Sequence, residues 1–194
     1  MSVVQRCAWG DSSPDYAEYH DTEWGVELHG GTELFERMCL ESFQSGLSWI
    51  TILRKRENFR TAFDGFDPKL VAAYDGDDVT RLMGDAGIVR NRAKIVAAIG
   101  NAAAVLALDE PLDGLLWSFA PAGPRTRPAT AADVPAITPE STAMAKALKR
   151  KGFVFLGPTT CYALMQATGM VDDHVETCFR AHQADRDPAG QKPG

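Results

Sequence analysis

Apolar residues recur along most of this chain at intervals of three or four positions, the spacing that gathers them on one face of an α-helix. Many of these stretches begin at a capping residue or a proline and end at a glycine, as helices do. The helices predicted in this way lie at about residues 32–45, 48–63, 68–74, 79–84, 91–108, 141–152 and 158–169. The short run "GFVFLG" at 152–157 is ambiguous between helix and strand. An all-α fold is therefore expected.

Glu41 interrupts the apolar face of the first of these helices. Leu34, Met38 and Glu41 fall at i, i+4 and i+7, which predicts that the carboxylate points inward beside two apolar side chains. Because an unpaired buried carboxylate is costly, a cationic or hydrogen-donating ring is its natural partner.

Aromatic residues are concentrated in the first quarter of the chain. Three of the four tryptophans lie there together with two tyrosines, namely Trp9, Trp24, Trp49, Tyr16 and Tyr19. Stacking and cation–π attraction around one hydrogen-bond acceptor would suit a flat, electron-poor or cationic ring. The alternative is that these aromatics only pack a small subdomain. Most of them lie in residues 8–25, which are predicted to be too irregular for a conventional core element.

Cysteine and histidine form two pairs at opposite ends of the chain. Cys7 precedes His20 in the N-terminal segment, whereas His174 and Cys178 stand at i and i+4, which predicts one face of a helix. Two cysteines and two histidines make a complete tetrahedral ligand set for Zn²⁺, whose role would be structural because no position stays open. Such an ion would close a long loop between the two ends of the chain. The alternative is two buried cysteines with two hydrogen-bonded histidines.

Composition fits an ordinary globular protein, with 45% hydrophobic and 24% charged residues in 194. No apolar run approaches the roughly 20 residues that a membrane span needs, so a cytoplasmic protein without a membrane partner is expected. The four cysteines are too few and too scattered for a secreted disulfide framework. Cys39 and Cys161 stand among apolar residues and are predicted to be buried thiols.

The net charge of −6 argues against a protein that coats nucleic acid. Local basic stretches nevertheless occur at residues 54–56, 90–94 and 146–151. Each is interpreted first as a solvated helix face and second as a phosphate contact. The middle stretch follows glycines that separate two predicted helices. Gly84 and Gly87 are predicted to adopt positive φ, so that consecutive amides face a phosphate beside the N-terminus of the next helix.

Over residues 6–178 the sequence closely resembles the bacterial type I 3-methyladenine DNA glycosylases of the helix-hairpin-helix superfamily. The resemblance rests on the segments "RCAW", "YAEYHDTEWGV", "FERMCLESFQSGLSWITILRKRENFR", "DAGIVRNRAKI" and "KRKGFVFLGPTTCYALMQATGMVDDHVETC". It implies one all-α glycosylase unit over residues 1–179, with a DNA-binding hairpin at about 84–95. A structural zinc ion would join the terminal segments 6–24 and 170–179. The composition of residues 180–194 separately predicts a disordered tail.

The resemblance also implies an enzyme that binds alkylated duplex DNA, flips a damaged nucleotide and hydrolyses the N-glycosidic bond of 3-methyladenine, which leaves as the free base. The zinc ligands it implies are Cys7, His20, His174 and Cys178. The base pocket it implies comprises Glu41 and Trp49, surrounded by Trp9, Tyr16, Tyr19 and Trp24. The DNA contacts it implies are an inserting loop at Gly46 and Leu47 and a phosphate-binding hairpin with Gly87, Arg90, Arg92 and Lys94.

The chemistry of the lesion fits this set of residues. Methylation at N3 makes adenine cationic and a good leaving group, so Glu41 is expected to select the base more than to break the bond. Asp109 stands near the position of the catalytic aspartate of many superfamily relatives and is not assigned, because the family looks to work without it. No lysine stands out as a Schiff-base nucleophile, so a monofunctional, monomeric enzyme without strand cleavage is expected. The alternatives are an inactive protein of this fold that binds lesions or abasic sites, and an unrelated zinc-stabilised helical protein.

Overall fold

The computed structural model describes residues 4–123 and 126–184, and within these residues every regular element is helical. The predicted all-α fold is therefore confirmed. The α-helices are α1 Pro14–Thr22, α2 Gly31–Gln44, α3 Trp49–Ala62, α4 Pro68–Val71, α5 Gly76–Gly84, α6 Arg92–Leu106, α7 Leu112–Trp117, α8 Pro139–Arg150, α9 Pro158–Ala167 and α10 Phe179–Ala184. Short 3₁₀ turns lie at Gly10–Ser12, Asp64–Phe66 and Ala131–Asp133. A membrane-spanning segment is absent from the helices of the described ranges.

Helix α2 is the centre of the fold, in contact with α3, α6, α7 and α9. Its apolar face is buried through Leu34 and Met38, which have no exposed surface. Near its C-terminal end Phe43 packs on Phe59 of α3, with ring centroids 4.8 Å apart. Because close-packed side chains resist displacement, this packing gives the residues of α2 fixed positions.

Helix α1 lies inside the N-terminal segment that was predicted to be irregular, so that prediction is wrong for residues 14–22. Ser13 caps the helix, since its Oγ accepts a hydrogen bond from the Tyr16 amide at 3.3 Å. Pro14 occupies the first helical position, where its missing amide hydrogen costs nothing. A serine followed by proline is a start signal that the sequence contains and that the irregular composition obscured.

The ambiguous run at 152–157 forms neither a helix nor a strand. The buried side chain of Asn101 satisfies its backbone instead: Asn101 Oδ1 accepts from the Val154 amide at 2.9 Å, and Nδ2 donates to the Val154 carbonyl at 3.0 Å. One amide side chain therefore takes the place of a strand partner.

The segment from His174 to Cys178 is a loop rather than the predicted helix, so the expected i, i+4 helical pairing is wrong. Asp172 accepts from the His174 amide at 3.1 Å, and the Glu176 amide donates to the Pro128 carbonyl at 3.0 Å. These bonds use backbone donors that a helix would need for itself. The next helix, Phe179–Ala184, includes the first residues of the tail that was predicted to be disordered from residue 180. Residues 185–194 lie outside the described part of the chain.

The predicted hairpin connects α5 to α6 through residues 85–91, but its glycines do not adopt positive φ. That prediction is wrong for both Gly84 and Gly87. Gly87 is required by close approach, since a Cβ there would lie 3.1 Å from the Asn58 Cβ. Its amide donates to Asp85 Oδ1 at 2.7 Å, so this amide is already paired within the turn.

Candidate active site

A cavity of about 360 Å³ opens between the N-terminal segment, α2, the start of α3 and the end of α9. The six predicted pocket residues all line it: Glu41, Trp49, Trp9, Tyr16, Tyr19 and Trp24. The structure thus brings together residues from three separate helices and from the segments on either side of α1.

Glu41 presents a buried carboxylate to this cavity. Only 5% of the residue is exposed, and no residue in the described ranges donates a hydrogen bond to it. Burial raises its pKa to about 7, although the positive charge of Arg37 one turn earlier acts in the opposite direction. The Arg37 guanidinium itself donates to Tyr19 Oη at 3.2 Å and to Glu23 Oε2 at 3.3 Å. The Glu41 carboxylate therefore lies near the Arg37 guanidinium, which donates its hydrogen bonds to Tyr19 and Glu23 instead.

Trp49 supplies a buried donor to the same cavity. Its indole Nε1 has no hydrogen-bond partner among the described residues. The ring lies 5.4 Å from the Tyr19 ring between centroids, inclined at 43°. Tyr16 fixes this end of α3, because its phenol oxygen accepts from the Ile50 amide at 2.9 Å. An unpaired donor and an unpaired acceptor in one aromatic cavity are what a planar heterocycle with polar edges can satisfy.

Several lining residues were not predicted from the sequence. The polar ones are Gln44, Gln166 and Asp173, and the apolar ones are Ala131, Val134, Ala163 and Val175. Asp173 is buried and accepts hydrogen bonds from Tyr162 Oη and from Gln166 Nε2, the latter at 2.9 Å. Gln44 stands at i+3 from Glu41, a spacing that could have identified it. Gln166 and Asp173 come from distant parts of the chain and carried no comparable signal.

The basic stretch at 54–56 is used within the protein. Arg54 pairs with Asp15 at 2.8 Å, and Arg56 donates to the two oxygens of Glu23 at 2.5 and 2.8 Å. These pairs join α3 to α1, which carries two of the pocket aromatics. The stretch therefore forms part of the scaffold around the site.

Cys7, His20 and Cys178 place their ligand atoms within 4.8 Å of one another, all buried. His20 Nε2 lies 3.4 Å from Cys178 Sγ and also accepts a hydrogen bond from the Cys7 amide at 3.3 Å. Burial raises the pKa of the Cys7 thiol to about 12 and lowers the pKa of the His20 imidazole. A neutral imidazole is the form that binds a metal ion, and a bound cation would favour the thiolates.

His174 lies next to this group but is not part of the set whose ligand atoms all lie within 4.8 Å of one another. Its Nε2 is buried and has no partner among the described residues, and its ring centroid lies 4.9 Å from that of His20. Each histidine donates its Nδ1 hydrogen to an aspartate, His20 to Asp21 at 2.8 Å and His174 to Asp172 at 2.9 Å. Metal-binding histidines are commonly oriented in this way by a second shell of carboxylates. The donor set and the orphaned nitrogen fit a zinc ion held by these four residues.

The predicted DNA-contacting residues divide into two groups. Gly46 has φ of +82° in an exposed turn, and 40% of the following Leu47 is exposed. Arg90 and Arg92 are exposed and form no ion pair within the described ranges. Lys94 differs, because only 8% of it is exposed and its ammonium donates to the carbonyls of Phe43 and Ser45 at 2.9 and 2.5 Å. The predicted phosphate contact of Lys94 is therefore wrong: its charge satisfies the end of α2.

Comparison with known proteins identifies close relatives of the whole arrangement. The family model described as methyladenine glycosylase matches residues 9–181. A protein of Escherichia coli K12 named DNA-3-methyladenine glycosylase 1 is 50% identical over 179 residues, which cover 90% of this chain and 96% of that protein.

Solved structures of similar proteins also match this chain. A crystal structure of 3-methyladenine DNA glycosylase I superposes with a TM-score of 0.87 at 49% identity, covering 90% of this chain and 98% of that one. A Staphylococcus aureus 3-methyladenine DNA glycosylase I, solved to explain 3-methyladenine recognition, gives a TM-score of 0.84 at 36% identity, with coverage of 90% and 95%. The predicted resemblance is confirmed.

Proposed function

The chain belongs to the methyladenine glycosylase family and is a DNA glycosylase acting on 3-methyladenine, and we propose that the cavity around Glu41 and Trp49 is where it binds and releases this base. One observation supports the assignment above the others. The Glu41 carboxylate is buried at the cavity without a hydrogen-bond donor from the described residues, a costly state that a cationic purine relieves.

Recognition follows from the Glu41 carboxylate and from the aromatic faces around it. N3-methylation gives adenine a positive charge, so an ionised Glu41 attracts the lesion and accepts hydrogen bonds from its edge. Trp49 stacks on the flipped ring, and the surrounding aromatic faces add cation–π attraction. Normal adenine is neutral and gains no charge–charge attraction from the carboxylate. The pocket therefore discriminates by charge as well as by shape.

The chemical step requires little from the protein. Water adds to C1′ of the sugar and releases one proton to the solvent, while the glycosidic bond electrons leave with the base and neutralise its positive charge. No proton has to be delivered to the departing ring, so a general acid is unnecessary. No lysine lines the cavity in the described ranges, which supports hydrolysis without a Schiff base or strand cleavage.

The four proposed zinc ligands support this site through two of the tryptophans that line the cavity. Cys7, His20, His174 and Cys178 would hold one Zn²⁺ as a closed structural site, which supplies no step of the reaction. The indole of Trp9 packs on His20 at 5.1 Å and that of Trp24 on His174 at 4.7 Å between ring centroids. Zinc would therefore fix two walls of the cavity.

DNA engagement is assigned to the surface beside the cavity. Leu47 is the side chain that would enter the duplex and occupy the place of the flipped base. The turn at 85–91 and the exposed Arg90 and Arg92 would hold the phosphate backbone.

Incubation of the protein with methylated duplex DNA is expected to release 3-methyladenine and to leave abasic sites in intact strands. Chromatography of the released bases, and gel analysis before and after alkali, measure both outcomes. The variant Asp109→Asn should release the base at an unchanged rate. The Asp109 side chain is 89% exposed and pairs with Lys151, so it has no role in the cavity. Binding to abasic DNA without any base release would instead identify an inactive lesion-binding protein.

Arg90→Ala and Arg92→Ala are each expected to weaken binding to duplex DNA of any sequence. Each loses about one phosphate contact, so the slope of log affinity against log salt should become shallower by about one. Fluorescence anisotropy at several salt concentrations measures this slope. Exposed Lys69, on α4 and outside the three basic stretches, provides the control through Lys69→Ala. Unchanged slopes in both hairpin variants would place the phosphate contacts elsewhere.

A further inference from the structure

Lys94 joins the two elements that the proposed function assigns to DNA. It lies in the first turn of α6, immediately after the hairpin, and its backbone amide is capped by Asn91 Oδ1 at 3.2 Å. Its side chain crosses to the end of α2, where Nζ donates to the Phe43 carbonyl at 2.9 Å and to the Ser45 carbonyl at 2.5 Å. The ammonium thus bridges the hairpin and the turn that carries Leu47.

The Lys94 ammonium provides hydrogen-bond donors to backbone carbonyls at the C-terminal end of α2. The last carbonyls of a helix have no intrahelical partner and carry the negative end of the helix dipole. At the end of α2, whose C-cap is Ser45, a buried cation meets both requirements. Replacement of Lys94 by a residue without a donor would leave carbonyl groups unpaired beside the core.

The turn after α2 is held from a second side by Gln44. Its Nε2 donates to the Leu47 carbonyl at 3.0 Å, and the Leu47 amide donates to the Gln44 carbonyl at 2.7 Å. Gly46 between them has φ of +82°, which other residues rarely adopt. Gln44 closes the turn on itself, whereas Lys94 fixes the closed turn relative to the hairpin.

We infer that Lys94 is a positioning residue for base flipping, which holds the Leu47 turn in register with the hairpin so that phosphate binding and insertion occur as one rigid unit. This inference rests on the proposed function. A turn already in its inserting conformation pays no ordering cost when it meets DNA. Lys94 itself does not line the base cavity, so binding of a free base should not depend on it.

Lys94→Met is the direct test. Methionine, like lysine, has an unbranched side chain, but it is apolar and has no hydrogen-bond donors. Single-turnover release of 3-methyladenine from methylated duplex DNA is expected to fall roughly tenfold or more, the effect of leaving one or two carbonyls unpaired. Release from methylated single strands, where unstacking costs less, should fall less than about threefold. The affinity for free 3-methyladenine, followed by tryptophan fluorescence, should stay within about twofold of the parent. Lys69→Met, which alters an exposed lysine of α4 outside this contact and outside the basic stretches, should change none of these values.

The ratio of duplex to single-strand release separates positioning from general structural support. A merely structural role for Lys94 would lower both rates and the free-base affinity together, and that result would overturn the inference. If Lys94→Met does not fold, Lys94→Gln keeps a donor and should show the same duplex-selective loss to a smaller degree. Absence of base release by the unaltered protein from either substrate is a separate result, which would contradict the proposed function itself.

Discussion

Protein stripped of zinc by a chelator is expected to unfold at a temperature lower by about 10 °C or more, which corresponds to a loss of about 3 kcal/mol or more for a chain of this size. The ligand cluster has its own small apolar group, formed by Cys7, Cys178 and Ala181 and separate from the main core. Without an ion, two thiols and two imidazoles remain buried at this end of the molecule and have no metal ion to bind. Loss of the zinc ion should loosen Trp9 and Trp24 and weaken binding of 3-methyladenine. Most of the helical circular-dichroism signal should persist.

Metal analysis and calorimetry measure these outcomes directly. Protein purified without added metal should contain about one zinc per chain. His174→Ala should lose the zinc, and Cys39→Ser is the matched control because Cys39 is equally buried but lies in the main core. The control should cost stability and keep the zinc. A fully folded, metal-free parent protein that binds the base normally would contradict the assignment of the four ligands.

Local patterns predicted the parts of the site that depend on neighbours in sequence. The inward direction of Glu41 followed from its spacing with Leu34 and Met38, and the structure buries all three. The end of α2 near Gly46 followed from the glycine, which indeed has positive φ there. These features are set within one or two helical turns, where a periodic pattern carries the information.

Two of the errors arose where hydrogen bonds that the periodic pattern does not reveal involve the predicted residues. The helical interpretation of His174 and Cys178 failed because Asp172 Oδ1 and the Pro128 carbonyl accept hydrogen bonds from the His174 and Glu176 amides of this segment. Lys94 looked like a phosphate ligand among arginines, but its partners are carbonyls 49 and 51 residues away. Such long-range pairing leaves no periodic trace along the chain.

The site reflects a conflict between stability and recognition at Glu41. Its folded-state pKa of about 7 exceeds the ordinary value of 4.5, so the folded protein retains a proton that the unfolded chain releases between these values. The stability that comes from this protonated form is fully present below about pH 4.5 and is lost as the pH rises through about 7. Above pH 7, Glu41→Gln should therefore be more stable than the parent, by at most about 3 kcal/mol. A cationic ligand removes the same conflict by pairing with the ionised carboxylate.

Glu41→Gln is also expected to lose most of the preference for 3-methyladenine over adenine while keeping a larger share of the excision rate. The amide retains the size of the side chain and one acceptor, but it has no charge. A hydrogen bond to a charged group contributes roughly 1.5–3 kcal/mol, so the ratio of affinities for duplex DNA with and without 3-methyladenine, in which the methylated base is still cationic, should fall by about 10- to 100-fold. Release of 3-methyladenine at saturating enzyme should fall less than about tenfold, because the base departs without a proton from the protein.

The pH dependence of this preference isolates the role of the Glu41 charge. In the parent protein, selectivity should rise as the pH increases through about 7, the pKa to which burial raises this carboxyl. In Glu41→Gln the corresponding titration is absent, so any remaining change with pH belongs to the bases or to other groups. Glu33→Gln provides the control, since Glu33 is exposed near the start of the same helix and should leave the parent profile intact. Competition binding of duplex DNA with and without 3-methyladenine between pH 5.5 and 8.5 measures the three profiles. Identical profiles for the parent and Glu41→Gln would show that the carboxylate charge does not select the lesion, and shape and stacking against Trp49 would then have to account for discrimination.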